Sequence, residues 1–147
     1  RLESSLVRAE RQIRQIAVLF IDLNKFKQVN DSFGHATGDS VLIEVAKRME
    51  MSIRSTDTLA RFGGDEFVAI LDISSPEESE FVAQKLLNSL AHPIKVSDDK
   101  EFPISASIGI SIFPSDANDA DTLLRHADQA MYKAKSAKTS GYAKYQK

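Results

Sequence analysis

Ile16-Ala17-Val18-Leu19-Phe20-Ile21 is an almost unbroken apolar run, and apolar residues without alternation predict a central strand buried on both faces. The run stops abruptly at Asp22, although buried strands do not end in carboxylates by preference. Ahead of it, Leu2, Leu6, Ala9 and Ile13 recur near helical spacing without a convincing cap, so residues 1–14 read as a helix entered partway. Residues 22–39 form a polar stretch punctuated by glycines, with apolar positions at roughly helical intervals. Residues 39–53 then keep Val41, Leu42, Val45, Met49 and Ile53 on one stripe, which predicts a helix packed on a sheet. Strand-like residues 58–62 and 67–71 flank Gly63-Gly64, and the glycine pair reads as a tight hairpin turn.

The second half is equally punctuated. Ser75-Pro76-Glu77-Glu78 offers an N-cap serine, a first-turn proline and a capping-box glutamate, opening a helix through Phe81, Val82, Leu86 and Leu90 that ends before His92-Pro93. Residues 94–96 and 102–113 read as strands around an Asp98-Asp99 turn. Residues 121–138 form the clearest helix, with Leu123, Leu124, Ala127, Ala130, Met131 and Ala134 on one face. The order is helix, strand, two helices, hairpin, helix, strands, helix, short strand. It predicts an α/β (α+β) sandwich whose central sheet is mixed and mostly antiparallel.

Composition narrows the class. A chain of 147 residues, 42% hydrophobic and 27% charged, suits one compact domain and excludes disordered and collagenous classes. A net charge of −2 gives no overall attraction to nucleic acid or to an anionic membrane surface. Without cysteine there is neither a disulfide framework nor a thiolate site, and three scattered histidines make no zinc cluster, which leaves oxygen-ligated metals. The longest apolar run falls far short of the roughly 20 residues that cross a bilayer. With no initiator methionine, residues 1–147 are expected to be one amino-terminally truncated module of a larger cytoplasmic protein, any membrane anchor lying in missing segments.

The candidate chemistry lies at the ends of two strands. Asp65 and Glu66 follow the glycines directly, and two like charges about 4 Å apart repel by roughly 4 kcal/mol at an effective dielectric near 20. Asp22 supplies a third carboxylate. If the Asp22 strand pairs with residues 67–71, Asp22 and Asp65 converge on one hard cation, which takes oxygen ligands and keeps waters and phosphates as its others. The plainer reading is a solvent-facing turn followed by ordinary surface acids, and the turn by itself does not decide between the two.

Asp22-Leu23-Asn24-Lys25-Phe26-Lys27-Gln28-Val29-Asn30-Asp31 through Gly34-His35 and Gly38-Asp39, ahead of Gly63-Gly64-Asp65-Glu66-Phe67, closely resembles the GGDEF domain of diguanylate cyclases. Arg54-Ser55-Thr56-Asp57 is similar to that family's inhibitory-site motif. Ser105-Ala106-Ser107-Ile108-Gly109-Ile110 resembles its late strand, and residues 127–135 its last helix. The resemblance implies a palm-like nucleotide cyclase fold and the condensation of two GTP into cyclic di-GMP and two pyrophosphates. Two Mg2+ or Mn2+ ions per site would be held by Asp22, the Leu23 carbonyl, Asp65 and Glu66. It implies catalytic roles for Asp22, Asp65 and Glu66, contact to the substrate at Gly63 and Gly64, and guanine recognition by Asn30 and Asp39. Backbone N–H groups of Phe26 and Lys27, with Lys135, would meet the phosphates, and Arg54 and Asp57 would bind product. A homodimer with one GTP in each half is implied, as are fused sensory or phosphodiesterase domains.

Each of these residues also has a plainer reading: helix caps for Asn30 and Asp39, a solvated lysine for Lys135, a surface ion pair for Arg54 with Asp57. The chain departs from the family at Asn24, where many members carry a second aspartate, and at Ser140-Gly141-Tyr142-Ala143, which replaces Gly-Arg-Asn. That second change makes Lys138 a competitor of Lys135. The alternatives to an active cyclase are a catalytically silent GTP-binding module and a cyclic di-GMP receptor.

Overall fold

The computed structural model describes residues 1–12, 14–137 and 141–146. Its elements run α1 (Leu2–Gln12), β1 (Gln15–Asn24), α2 (Phe26–Phe33), α3 (His35–Glu50), β2 (Thr58–Arg61), β3 (Glu66–Ile73), α4 (Pro76–Ser89), β4 (Ile94–Ser97), β5 (Lys100–Phe102), β6 (Ser105–Phe113), α5 (Ala120–Ser136) and β7 (Tyr142–Lys144). Five strands form one sheet in the order β2-β3-β1-β6-β7, and β4 with β5 makes a separate ribbon. All neighbours in the large sheet are antiparallel except β6 and β7, which run parallel. This is the mixed, mostly antiparallel sandwich expected from the sequence.

The unbroken apolar run is explained by two cores. Ala17, Leu19, Ile21 and Leu23 of β1 enter a core with α2, α3 and α4, while Ile16, Val18 and Phe20 enter another with α1 and α5. Alternation is invisible because both faces are covered, and each large apolar side chain buried there is worth about 1.5–3 kcal/mol. The strand does not stop at Asp22, as the sequence suggested. It continues to Asn24, because backbone pairing with β6 extends to Asn24 opposite Ser105. α5 lies close on β6 at Gly109, where a Cβ would collide with the Ala127 carbonyl and the Met131 backbone. That close approach fixes the height of α5 over the sheet.

Several boundaries differ from expectation for identifiable reasons. α3 begins at His35 and ends at Glu50, because Gly34, at φ 90°, is the only break between α2 and α3, and Ile53 falls in the turn beyond. Residues 102–113 are not one strand: Pro103 has no N–H for a ladder, and β5 ends at Phe102 before β6 begins at Ser105. Phe81 is exposed rather than on the buried stripe, which is Ser79, Val82, Ala83 and Leu86. Ser75 occupies the N-cap without a side-chain bond, and Glu78 accepts the N–H of Ser74 instead, at 2.7 Å. α5 is capped by Asp119, whose carboxylate accepts the N–H of Thr122, so the helix starts before residue 121. The expected α1 position Ile13 lies outside the described residues, while Leu2, Leu6 and Ala9 are buried as expected.

Candidate active site

The register of β1 against β3 sets Asp22 opposite Glu66, and the N–H of Leu23 donates to the carbonyl of Asp65 at 3.1 Å. The pairing thus carries the acids of the hairpin to the end of the buried strand. The turn is looser than a two-residue hairpin. Its last ladder pair is Arg61 with Phe67, and residues 62–66 make the connection. The N–H groups of Phe62 and Gly63 both donate to the carbonyl of Glu66, at 2.8 and 3.3 Å. Arg61 donates Nε to the carbonyl of Gly63 at 3.1 Å and Nη2 to that of Gly64 at 2.8 Å. Neither glycine has positive φ. What Gly63 supplies is room, since a Cβ there would lie 2.9 Å from Oε1 of Glu66.

Negative charge is in excess at this end. Burial pushes the Asp65 carboxyl above its ordinary range, and the charge of Asp22 adds to the effect. Burial likewise raises Glu66, followed by repulsion from Asp22, Asp128 and Asp65. Asp128 was not singled out in the sequence. It lies two helical turns before Lys135 on α5, so both point to the same side, and that spacing was the available signal. Lys135 opposes the excess in both cases, and its Nζ donates to Oδ2 of the largely enclosed Asp22 at 2.5 Å. The competing Lys138 lies outside the described residues.

Asp22, Asp65 and Glu66 would offer a hard divalent cation oxygen ligands and surplus negative charge, with the Leu23 carbonyl as a further candidate donor. Among the described residues no three or more acidic, histidine or cysteine side chains are grouped closely enough to hold a metal ion by themselves. Mg2+ does not require such a group, since it is commonly held by one or two carboxylates together with substrate phosphates.

The residues expected to meet nucleotide are placed by glycines and a strained link. Lys25, at φ 62°, turns the chain from β1 into α2, so Phe26 and Lys27 head that helix with N–H groups that have no intrahelical acceptor. Asn30 lies within α2 and Asp39 within α3, so neither caps a helix and that plainer reading fails. The two helices pack against each other. The Asn30 side chain rests against Gly38, where a Cβ would collide with its Oδ1, and Asp39 is the next residue. Gly38 therefore makes room for the Asn30 side chain, and a glycine inside a helical pattern was its signal. Asn24 accepts from Ser107 and donates to Ser105, both at 3.0 Å, tying β1 to β6. Beside it opens a hollow of about 420 Å3, lined by Asn24, Lys25, Ser105, Ala134, Lys135 and Gly141.

Arg54 and Asp57 lie at the other end of the sheet. The Asp57 side chain has no exposed area; Oδ2 accepts the N–H of Arg54 at 3.0 Å and Oδ1 that of Asp72 at 3.2 Å. The half-exposed Arg54 guanidinium reaches the Asp72 carbonyl at 2.6 Å and Glu78 at 3.0 Å. The ion pair of the plainer reading is present, Nε of Arg54 lying 3.5 Å from Oδ2 of Asp57, but it is set in a turn braced by a buried carboxylate. A hollow of about 1120 Å3 also opens at this end, between Arg14, Ser74 and Pro114, and no residue expected to act on substrate lines it.

Comparison with known proteins agrees with this fold. Residues 1–141 match the family described as Diguanylate cyclase, GGDEF domain. The chain is 45% identical over 142 residues to the bifunctional diguanylate cyclase/cyclic di-GMP phosphodiesterase MucR of Pseudomonas aeruginosa, covering 97% of this chain and 21% of that protein. It is 41% identical over 136 residues to the diguanylate cyclase TpbB of the same species, covering 92% of this chain and 31% of that one. The chain thus spans less than a third of these relatives. The crystal structure of the GGDEF domain of TpbB superposes with a TM-score of 0.95 at 38% identity, over 100% of this chain and 92% of that domain. The family match, the identity to these relatives and the superposition place the chain in the GGDEF family of diguanylate cyclases, and its fold is their palm-like one.

Proposed function

We propose that this domain condenses two GTP into cyclic di-GMP, each half of a homodimer bringing one GTP. The observation that carries this reading is the excess of carboxylates at the ends of β1 and β3, with raised Asp65 and Glu66 facing Asp22 beside a lysine. In each of two steps a ribose 3'-oxygen forms a bond to the α-phosphorus of the other GTP. The bond from that phosphorus to the bridging oxygen of pyrophosphate breaks, and the 3'-hydroxyl proton leaves. A divalent cation bound there would neutralise triphosphate charge and acidify the attacking hydroxyl.

The remaining work belongs to the chain. Asp39 accepts from guanine N1 and N2 hydrogens and the Asn30 amide donates to O6, a complementarity that ATP does not offer. The free N–H groups at the head of α2 meet β- and γ-phosphate oxygens. Glu66, folded back over Gly63, holds the cation or takes the proton of the attacking hydroxyl. At the far end, Arg54 is the group available to grip product phosphate or guanine, and Asp57 holds the turn that presents it. Product bound there lowers turnover, and Arg54→Ala relieves that inhibition without lowering the initial rate. Sensory or phosphodiesterase domains in the full-length protein would set the pairing of two such halves.

Incubation with GTP and Mg2+ followed by chromatography is the direct test. Cyclic di-GMP and pyrophosphate in a 1:2 ratio support the proposal. Bound, unconverted GTP at concentrations where the protein dimerises would refute catalysis while leaving a binding module.

A further inference from the structure

We infer that Lys135 is the coupling residue between cation and triphosphate: it occupies Asp22 when both are absent and moves into the neighbouring hollow when a triphosphate arrives. The inference rests on the proposed cyclase reading. It goes further by assigning the lysine two alternating partners.

Nζ of Lys135 lies 2.5 Å from Oδ2 of Asp22. A Mg2+ ion would need a carboxylate oxygen of Asp22 at about 2.0–2.1 Å, so ammonium and cation compete for the negative charge of this one side chain. Asp22 is largely enclosed, so the ammonium is held in a region where water screens it poorly, and displacing it without compensation costs metal affinity. The same lysine lines the 420 Å3 hollow together with Lys25 and Ser105. Its stem is half exposed and its four-carbon chain can swing, so the ammonium has a second station within reach. A triphosphate seated in that hollow offers oxygens to Lys25 and Lys135. Drawing Lys135 off Asp22 frees that carboxylate at the moment the phosphates supply the other cation ligands. Linkage then requires the converse: whatever releases Lys135 from Asp22 strengthens its grip on phosphate.

The test uses Mn2+ as the probe, read by the electron paramagnetic resonance of the free ion, without nucleotide and without reference to turnover. Lys135→Met is expected to bind Mn2+ about tenfold more tightly than the wild type. Lys135→Arg, which keeps the pairing, stays near the wild type, and Lys133→Met, which removes an exposed charge from the same helix, changes affinity by less than about twofold. In the reciprocal arm, tripolyphosphate is titrated calorimetrically in EDTA. Asp22→Asn is expected to bind it several-fold more tightly than the wild type, and the gain disappears in the Asp22→Asn, Lys135→Met double variant.

Equal Mn2+ affinity in the wild type and Lys135→Met, with loss in Asp22→Asn, overturns the coupling and leaves the metal reading intact. An affinity gain as large in Lys133→Met also overturns it, since general charge would then suffice. Absence of Mn2+ binding in all variants, Asp22→Asn being no different, overturns the coupling together with the metal reading. Circular dichroism of each variant verifies that the comparison is among folded proteins.

Discussion

The two ends of the β1–β3 pair carry similar residues and opposite chemistry. At one end Asp57 meets two backbone N–H groups, Asp72 meets Arg14 at 3.0 Å, and Glu78 meets both Arg54 and the N–H of Ser74. At the other, Asp22, Asp65 and Asp128 crowd Glu66, burial and mutual repulsion raise Asp65 and Glu66, and Lys135 answers the group. Satisfied carboxylates hold a turn in place. Carboxylates left in excess cost stability, and a protein keeps such a cluster where a ligand completes it. Counting acids would not tell these ends apart; their partners do.

The sharpest break between the ends is in turnover. Asp65→Asn is expected to lower cyclic di-GMP formation by about a hundredfold or more, because it removes one anionic ligand and leaves the guanine contacts in place. Asp72→Asn, an equal charge change at the far end, is expected to keep the rate within a few-fold. Product formation at saturating GTP and Mg2+ measures both, and similar losses in the two variants would erase the distinction.

Stability should reverse the ranking. Asp57→Ala leaves the N–H groups of Arg54 and Asp72 without their acceptor in an enclosed position, and the cost expected in urea unfolding is about 2–3 kcal/mol. Arg54→Ala should cost less, about 0–1 kcal/mol, because its guanidinium is half exposed. Equal losses for these two variants would mean that the turn is not braced by Asp57.

A smaller effect separates positioning from contact within the site. Gly38→Ala would push a Cβ into Oδ1 of Asn30, turning that amide from its place against α3 while the side chains of Asn30 and Asp39 remain present. Preference for GTP over ATP is expected to fall about tenfold, with kcat for GTP less affected than KM. Direct substitution of Asp39 by Ser should weaken the same preference. An unchanged preference in both would remove guanine recognition from this pair.

Legibility in the sequence followed how local each cause is. The strand run 16–21 and the stripes of α3 and α5 announced themselves, because burial against a sheet needs only periodicity. Boundaries failed where a neighbour decided them. β1 outlasts its apolar run because β6 pairs with its polar end, and Phe81 fits a helical stripe that packing left exposed. The convergence of Asp22 with the hairpin acids was legible as a conditional, and antiparallel pairing met the condition. Asp128, the burial of Asp57 and the grip of Lys135 on Asp22 were not legible, because each joins elements far apart in sequence. Gly38 sits between: its place inside a helix was visible, while its reason, the Asn30 side chain, is tertiary.

The smallest effect tests the premise of the comparison, that the acid end is held against its own repulsion. Asp65 has a folded-state value raised above its ordinary one, so its charge opposes folding. The opposition is fully present above the raised value and is relieved as pH falls through that value toward 3.8, where the unfolded carboxyl also takes its proton. Asp65→Asn removes the opposition at every pH. In EDTA at neutral pH the variant should therefore melt slightly above the wild type, by no more than the 2–4 °C that about 1 kcal/mol produces in a chain of this size. The gap should close on acidification through the raised range and vanish near pH 3.8. Added Mg2+ should invert it, raising the wild type and leaving the variant unmoved, because only a folded state that binds the ion gains from it. Calorimetric scans of both proteins from pH 7 to pH 4, with and without the ion, decide the matter. A variant that melts below the wild type in EDTA would show that Asp65 is as well satisfied as Asp57, and the two ends would then differ in position alone.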